Sequence, residues 1–286
     1  MKILVIGGTR FFGIPMVRKL LEAGHDVTIA TRGRNSDPFG ERVSRIILDR
    51  NDGGSVRQTA GKEEWDLIID KVAYASNDVR SLLANVKCRR YIQMSSCAVY
   101  RSEHADIREA EYDPAQEELI WMSRSEGYAL GKRQAERAAL EYLKPEQCVF
   151  VRYPVVLGEH DYTKRLRFYL DHVRDEQPMY IDEPEAQMSF IHETEAGEFL
   201  AFLADTPLNG AVNGSAGGTI SAKEIIQEAE RRFGKQAVLK ETGDPAPYNG
   251  SHGTVSYNTE KAEDAGFRFT DLHAWIHELI GMNREI

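Results

Sequence analysis

Residues 2–13, KILVIGGTRFFG, constrain this chain more than any other stretch. Four apolar residues, Ile3 to Ile6, run straight into Gly7 and Gly8, and Phe11 and Phe12 lead on to Gly13. A helical segment, Ile14 to Ala23, follows with Pro15 near its start. A short all-apolar strand, a glycine turn and a helix start make one half of a dinucleotide-binding unit. A tight turn needs residues that tolerate positive φ. The helix behind it offers unpaired N–H groups and a positive dipole end to a diphosphate. We therefore expect Gly7, Gly8, Thr9, Arg10, Phe11, Phe12 and Gly13 to border a cofactor, with Gly13 letting the helix pack closely on the strand. The spacing G-x-x-G-x-x-G is met only at Gly7 and Gly13, because Arg10 takes the middle position.

A chain of 286 residues is long enough for one large domain or two closely joined ones. Its net charge of −9 argues against a broad nucleic-acid surface. No stretch approaches the ~18 apolar residues of a membrane span. The N-terminal apolar run is too short for a signal peptide. Cys88, Cys97 and Cys148 are far apart and odd in number, which suggests reduced thiols in a cytoplasmic protein. His273 and His277 share a face of a C-terminal helix with no third ligand in view, so we expect a helix face and no metal.

Strand and helix signals alternate through the first half, as in a doubly wound α/β sheet. Val27 to Ala30, Arg45 to Leu48, Leu67 to Asp70, Arg90 to Met94 and Gln147 to Tyr153 read as strands. Val79 to Val86 and Tyr128 to Leu143 read as helices, and a short helix is expected around Ala115 to Met122 inside an acidic loop, Arg101 to Glu126. In a dinucleotide fold an acid at the end of the second strand holds the free ribose 2′-hydroxyl of NAD. Here that end carries Thr31, Arg32 and Arg34. With Arg10, they favour NADP(H) over NAD(H), since guanidinium pairs well with phosphate; the alternative is that they are solvated surface arginines. Val72, Ala73 and Tyr74 follow the fourth strand, where small residues let the backbone approach a cofactor.

Tyr128 and Lys132 are four apart and share a helix face. An ammonium beside a phenol lowers its pKa from about 10 and fits it to move a proton to or from an alcohol or ketone. Taken alone, such pairs are also common on inert helix surfaces.

The order of the glycine turn, Ser95-Ser96-Cys97-Ala98-Val99-Tyr100, Tyr128-x-x-x-Lys132 and Arg152-x-Pro154-x-x-x-Gly158 resembles the extended short-chain dehydrogenase/reductases, in particular their NAD-dependent epimerase/dehydratase branch. The resemblance extends into the second half through Phe190-Ile-His192 and Ala211-Val-Asn213. It implies a Rossmann-like parallel sheet over residues 1–157 and a smaller C-terminal α/β substrate-binding part, 158–286, with segments returning to the sheet. It implies a catalytic set in which Ser96 bonds the substrate oxygen, Tyr128 moves the proton, and Lys132 tunes Tyr128 and holds the cofactor ribose. It places Asp49 and Arg50 near the adenosine, Tyr153 and Pro154 near the carboxamide, and Cys97, Ala98 and Arg165 beside a nucleotide-sugar or related small-molecule substrate. Dehydratases of this kind carry an acid pair after the catalytic Ser or Thr; Cys97 and Ala98 stand there instead, which leaves an epimerase or reductase. By analogy, a homodimer forms through the helices at Val79 and Tyr128. The spelling GGTRFFG also resembles the chloroplast stem-loop RNA-binding subgroup, so RNA binding, or cofactor sensing without turnover, stays as the alternative.

Overall fold

The computed structural model describes residues 1–124, 127–248 and 253–282. Ser125 and Glu126, the end of the expected acidic loop, lie outside them. The first half alternates as read: β1 (Lys2–Ile6), α1 (Gly13–Glu22), β2 (Asp26–Thr31), β3 (Ser44–Ile47), α2 (Gly53–Thr59), β4 (Glu64–Asp70), α3 (Ser76–Leu83), β5 (Lys87–Met94), α4 (Tyr128–Ala139) and β6 (Cys148–Arg152). Then come β7 (Val155–Leu157), α5 (Arg165–Arg174), β8 (Pro178–Tyr180), β9 (Gln187–Met188), β10 (Phe190–His192), α6 (Glu193–Phe202) and β11 (Gly210–Asn213). The chain closes with β12 (Ile220–Ser221), α7 (Ala222–Phe233), β13 (Val238–Leu239), β14 (Asp244–Pro245), β15 (Thr254–Val255), α8 (Glu260–Asp264) and α9 (His273–Met282).

Seven parallel strands form the central sheet in the order β11-β6-β5-β4-β1-β2-β3. Its strands are apolar on both sides because helices cover both faces. Ile3 and Val5 face one core with Met16, Val17 and Leu20 of α1 and Phe199 and Leu200 of α6. Leu4 and Ile6 face the other, with Val79 and Leu82 of α3 and Ala135 and Ala138 of α4. A third core gathers Leu170 of α5, Ile225 of α7 and Ile276 of α9 around the short strands of the second half. Both α6 and β11 come from beyond residue 158 yet pack on, or complete, the main sheet.

The expected helix at Ala115–Met122 is absent; only Pro114–Gln116 makes a single turn. The backbone there bonds outward instead. Gln134 accepts from Ile120 N (2.7 Å) and donates to Glu118 O (3.0 Å), and Ser76 Oγ accepts from Met122 N (2.8 Å). Side chains of α3 and α4 thus take the groups that a helix would have paired internally.

One buried cluster ties the acidic loop, α4 and three strands together. Arg152 and Glu136 are both fully buried and paired, with Nη2 to Oε2 at 2.8 Å and Nε to Oε1 at 3.1 Å. Ser95 Oγ donates to the same carboxylate at 2.5 Å. Arg152 also donates to Tyr100 Oη (3.2 Å), Glu109 O (3.0 Å) and Tyr112 O (3.0 Å). Tyr100 in turn donates to Asn213 of β11 at 2.5 Å. Arg152→Met leaves Glu136 buried without its counter-ion, so we expect a loss of about 3–5 kcal/mol in urea unfolding. The double variant Arg152→Met with Glu136→Leu should recover much of that loss.

Candidate functional site

The strand order reverses between β1 and β4, and ligands in open α/β sheets bind outside the strand ends at such a point. A cleft of about 880 Å³ lies there. Gly7 and Gly8 turn the chain with φ of 100° each, a region costly for residues with a Cβ. Gly7, Gly8, Thr9, Arg10, Thr31, Arg32, Arg34, Asp49, Arg50, Val72 and Tyr74 all line this cleft. Gly13 does not; a Cβ on it would lie 2.7 Å from Gly8 Cα, so it packs α1 against the turn.

A second cleft of about 530 Å³ adjoins the first, and Lys71, Val72, Tyr74 and Tyr162 line both. Phe11, Phe12, Ser96, Cys97, Ala98, Tyr128, Tyr153, Pro154 and Arg165 line this second cleft. The strand ends explain the gathering: Ser96 follows β5, Tyr153 follows β6, and Tyr128 opens α4. Ser96 Oγ accepts from Ala98 N at 3.2 Å and lines the same cleft as Tyr128. Tyr128 is 52% exposed; desolvation on its cleft side raises the phenol, and Ser96 and the Arg165 charge pull it back. The Cys97 thiol donates to Arg152 O at 3.4 Å, and burial pushes it well above the ordinary thiol range.

Three expected contacts take other places. Lys132 lines neither cleft. It is fully buried, and its Nζ donates to Ala73 O (2.8 Å) and Met94 O (3.0 Å). Its ammonium lies 4.7 Å from the Tyr74 ring centroid and 5.8 Å from that of Tyr128. Burial lowers its pKa to about 7. The expected lowering of the Tyr128 phenol by Lys132 is therefore not seen, because a lysine this deeply buried holds its own charge weakly. Ala73 is also fully buried and presents its carbonyl to Lys132 rather than to a cleft. Arg50 reaches the first cleft only in part: its guanidinium forms a bidentate pair with Asp70 at 2.6 and 2.9 Å and donates to Asp78 O at 2.7 Å.

Arg10 turns toward the loop after β7, its Cζ 4.1 Å from the Tyr162 ring centroid. Arg32 and Arg34 are exposed, and neither makes an ion pair with the described residues. Lys71, Arg80 and Arg124 add further cations to the same wall. Lys and Arg thus outnumber Asp and Glu along this cleft in a chain of net charge −9, a setting that fits an extended phosphate-bearing ligand such as a dinucleotide. Sequence reasoning missed Lys71 and Tyr162. Lys71 was legible as a charge closing the apolar run Leu67–Asp70; Tyr162 carries no local signal.

The pattern of the NAD dependent epimerase/dehydratase family matches residues 3–85 and 78–215. The chain belongs to that family. Solved structures share its fold. A UDP-glucose 4-epimerase from Thermotoga maritima, crystallised with UDP-glucose, superimposes with a TM-score of 0.76 over 98% of each chain at 16% identity. A UDP-glucuronic acid 4-epimerase from Bacillus cereus in complex with NAD gives 0.72 over 99% of each chain at 17% identity. A dTDP-glucose 4,6-dehydratase from Bacillus anthracis in complex with NAD gives 0.73 at 15% identity, covering 100% of this chain and 98% of that one. Among curated proteins, the chloroplast stem-loop binding protein of 41 kDa b from Arabidopsis thaliana is 34% identical over 113 residues. That match spans 35% of this chain and 30% of that protein. No helix among the described residues is long and apolar enough to cross a membrane.

The Lys132 environment sets a pH dependence for this family member. An unfolded lysine titrates near 10.4, whereas folded Lys132 titrates at about 7. Between those values the unfolded chain holds a proton that the folded protein lacks, so this group makes stability rise with pH. Below about pH 7 both states hold the proton and the gain is absent. We expect the stability of wild type relative to Lys132→Met to grow between pH 7 and pH 10, measured by urea unfolding at each pH.

Proposed function

We propose that this chain is a nicotinamide-dependent epimerase or reductase acting on a nucleotide-sugar or related alcohol or ketone. One observation carries the reading: Ser96 and Tyr128 line the same cleft, and that cleft adjoins the glycine-turn cleft. Gly7, Gly8, Thr9 and the cations around them would hold the dinucleotide. Tyr153 and Pro154 follow β6 and line the second cleft, where they would meet the reactive end of the dinucleotide. A bound nicotinamide supplies reversible hydride exchange.

The residues supply the rest. Ser96 donates a hydrogen bond to the substrate oxygen, and Tyr128 Oη gives or takes the proton at that oxygen. Arg165, at the start of α5, offers its charge to an anionic part of the substrate. Cys97 and Ala98 bring no acid to the cleft, which favours epimerisation or reduction over elimination. Lys132 acts from behind Tyr74, fixing the Ala73 and Met94 backbone, so its part is positioning. Thr31, Arg32 and Arg34 at the end of β2 support NADP(H) over NAD(H).

A second reading, a cofactor-sensing or RNA-binding protein without turnover, is favoured by the same Lys132, whose ammonium is spent on two carbonyls. It predicts tight dinucleotide or RNA binding with no hydride transfer to any carbonyl offered. Under the enzyme reading, Tyr128→Phe lowers turnover of a nucleotide-sugar substrate roughly 10²–10⁴-fold with cofactor affinity retained; unchanged turnover sinks it. Calorimetry should give tighter binding of NADP(H) than NAD(H), and the double variant Arg32→Ala with Arg34→Ala should erase the difference. A preference for NAD(H) in the wild type overturns that assignment.

A further inference from the structure

Lys71 stands at the junction of the two clefts without a carboxylate partner among the described residues, although it is only 9% exposed. Register puts it there. Ile6 of β1 pairs with Asp70 of β4, so Lys71 is the first residue beyond the strand, opposite Gly7, and its N–H donates to Ile6 O at 3.2 Å. Its neighbour Asp70 cannot neutralise it, because that carboxylate faces Arg50 and Tyr91. The side chain reaches to the glycine turn instead. Nζ donates to Arg10 O at 3.3 Å and lies 3.8 Å from the Phe12 ring centroid. A buried ammonium without a counter-ion is costly, and a ligand that brings negative charge to this wall would remove that cost.

We propose that Lys71 recognises the diphosphate of a bound dinucleotide, its ammonium supplying positive charge beside the glycine turn where Arg10 has replaced glycine. The inference rests on the function proposed above. Burial and the like charge of Arg10 hold the free Lys71 pKa at about 7. A diphosphate beside it raises that value, so binding takes up a proton above pH 7. The titratable and charged groups lining the clefts that meet at Lys71 include Arg10 on the turn, Tyr74 beyond β4, Tyr128 on α4, Asp161 and Tyr162 after β7, and Arg165 on α5. Desolvation pushes the Tyr74 and Tyr128 phenols upward, away from this range. Lys132 titrates near the same pH behind Tyr74, so the Lys71 share is the difference between wild type and Lys71→Met.

Calorimetry with ADP-ribose, which carries the diphosphate without the nicotinamide, tests this. UDP probes the other source of a diphosphate, a nucleotide-sugar. We expect Lys71→Met to weaken ADP-ribose roughly ten- to hundred-fold, to lose the proton uptake seen with wild type at pH 8 in buffers of different ionisation enthalpy, and to leave UDP binding unchanged. The thermal midpoint of the free variant should stay level or rise, because a costly buried charge is gone. Equal ADP-ribose affinity in both proteins overturns the inference while leaving the proposed function standing. Weakened UDP with unchanged ADP-ribose also overturns it and moves the contact to the substrate. A lowered midpoint together with weaker binding assigns Lys71 a structural role and overturns it. No ADP-ribose binding by wild type overturns the proposed function and this inference with it.

Discussion

The buried pair of Arg152 and Glu136 is the contact on which the arrangement of the second cleft depends. It joins the last residue of β6 to α4. Through Ser95 it fixes the strand end that presents Ser96; through α4 it fixes the helix that presents Tyr128. Through Tyr100 and the carbonyls of Glu109 and Tyr112 it pins a long acidic segment that has almost no regular structure of its own. Buried ion pairs add little net stability compared with a well-packed apolar core. What this one supplies is a single permitted geometry between the paired strand ends of β5, β6 and β11 and two segments outside that ladder, α4 and the acidic loop.

The strands were legible because a parallel sheet covered on both faces demands unbroken apolar runs such as Ile3–Ile6 and Leu67–Ile69. The glycine turn was legible for a backbone reason. The segment Ala115–Met122 was not, because its spacing suits a helix while its partners, Gln134 and Ser76, lie far away in sequence. Helix α6 starts at Glu193, capped by the His192 ring, which accepts from Thr194 N at 3.2 Å. The gathering of Ser96 and Tyr128 followed from order along the chain. The fate of Lys132 did not, because spacing places a side chain on a helix face but says nothing of how much water that face keeps. Residues such as Lys71 and Tyr162 take their importance from strand register and loop return, which no local pattern encodes.

Charge in this protein is distributed unevenly. Cations that have found carboxylates, Arg50 and Arg152 among them, serve as internal struts. Those along the first cleft are held instead by rings or backbone: Arg10 over Tyr162, Arg124 over Tyr74 at 3.3 Å, Arg80 over Trp121 at 5.1 Å. A ring supports a cation without cancelling it, so the field of these groups stays available to a ligand.

The edge strand β11 and the covering helix α6 have a bearing on how the polypeptide reaches this state. Neither is made until the chain has passed through the segment that carries β7 to β10. During synthesis, β6 is exposed at its outer edge and Val149 and Val151 lack their cover until residues up to 213 emerge. Contacts closed over such a separation form slowly and leave sticky surface in the interval. The central sheet is therefore completed only by the part of the chain that also builds the opposite wall of the second cleft.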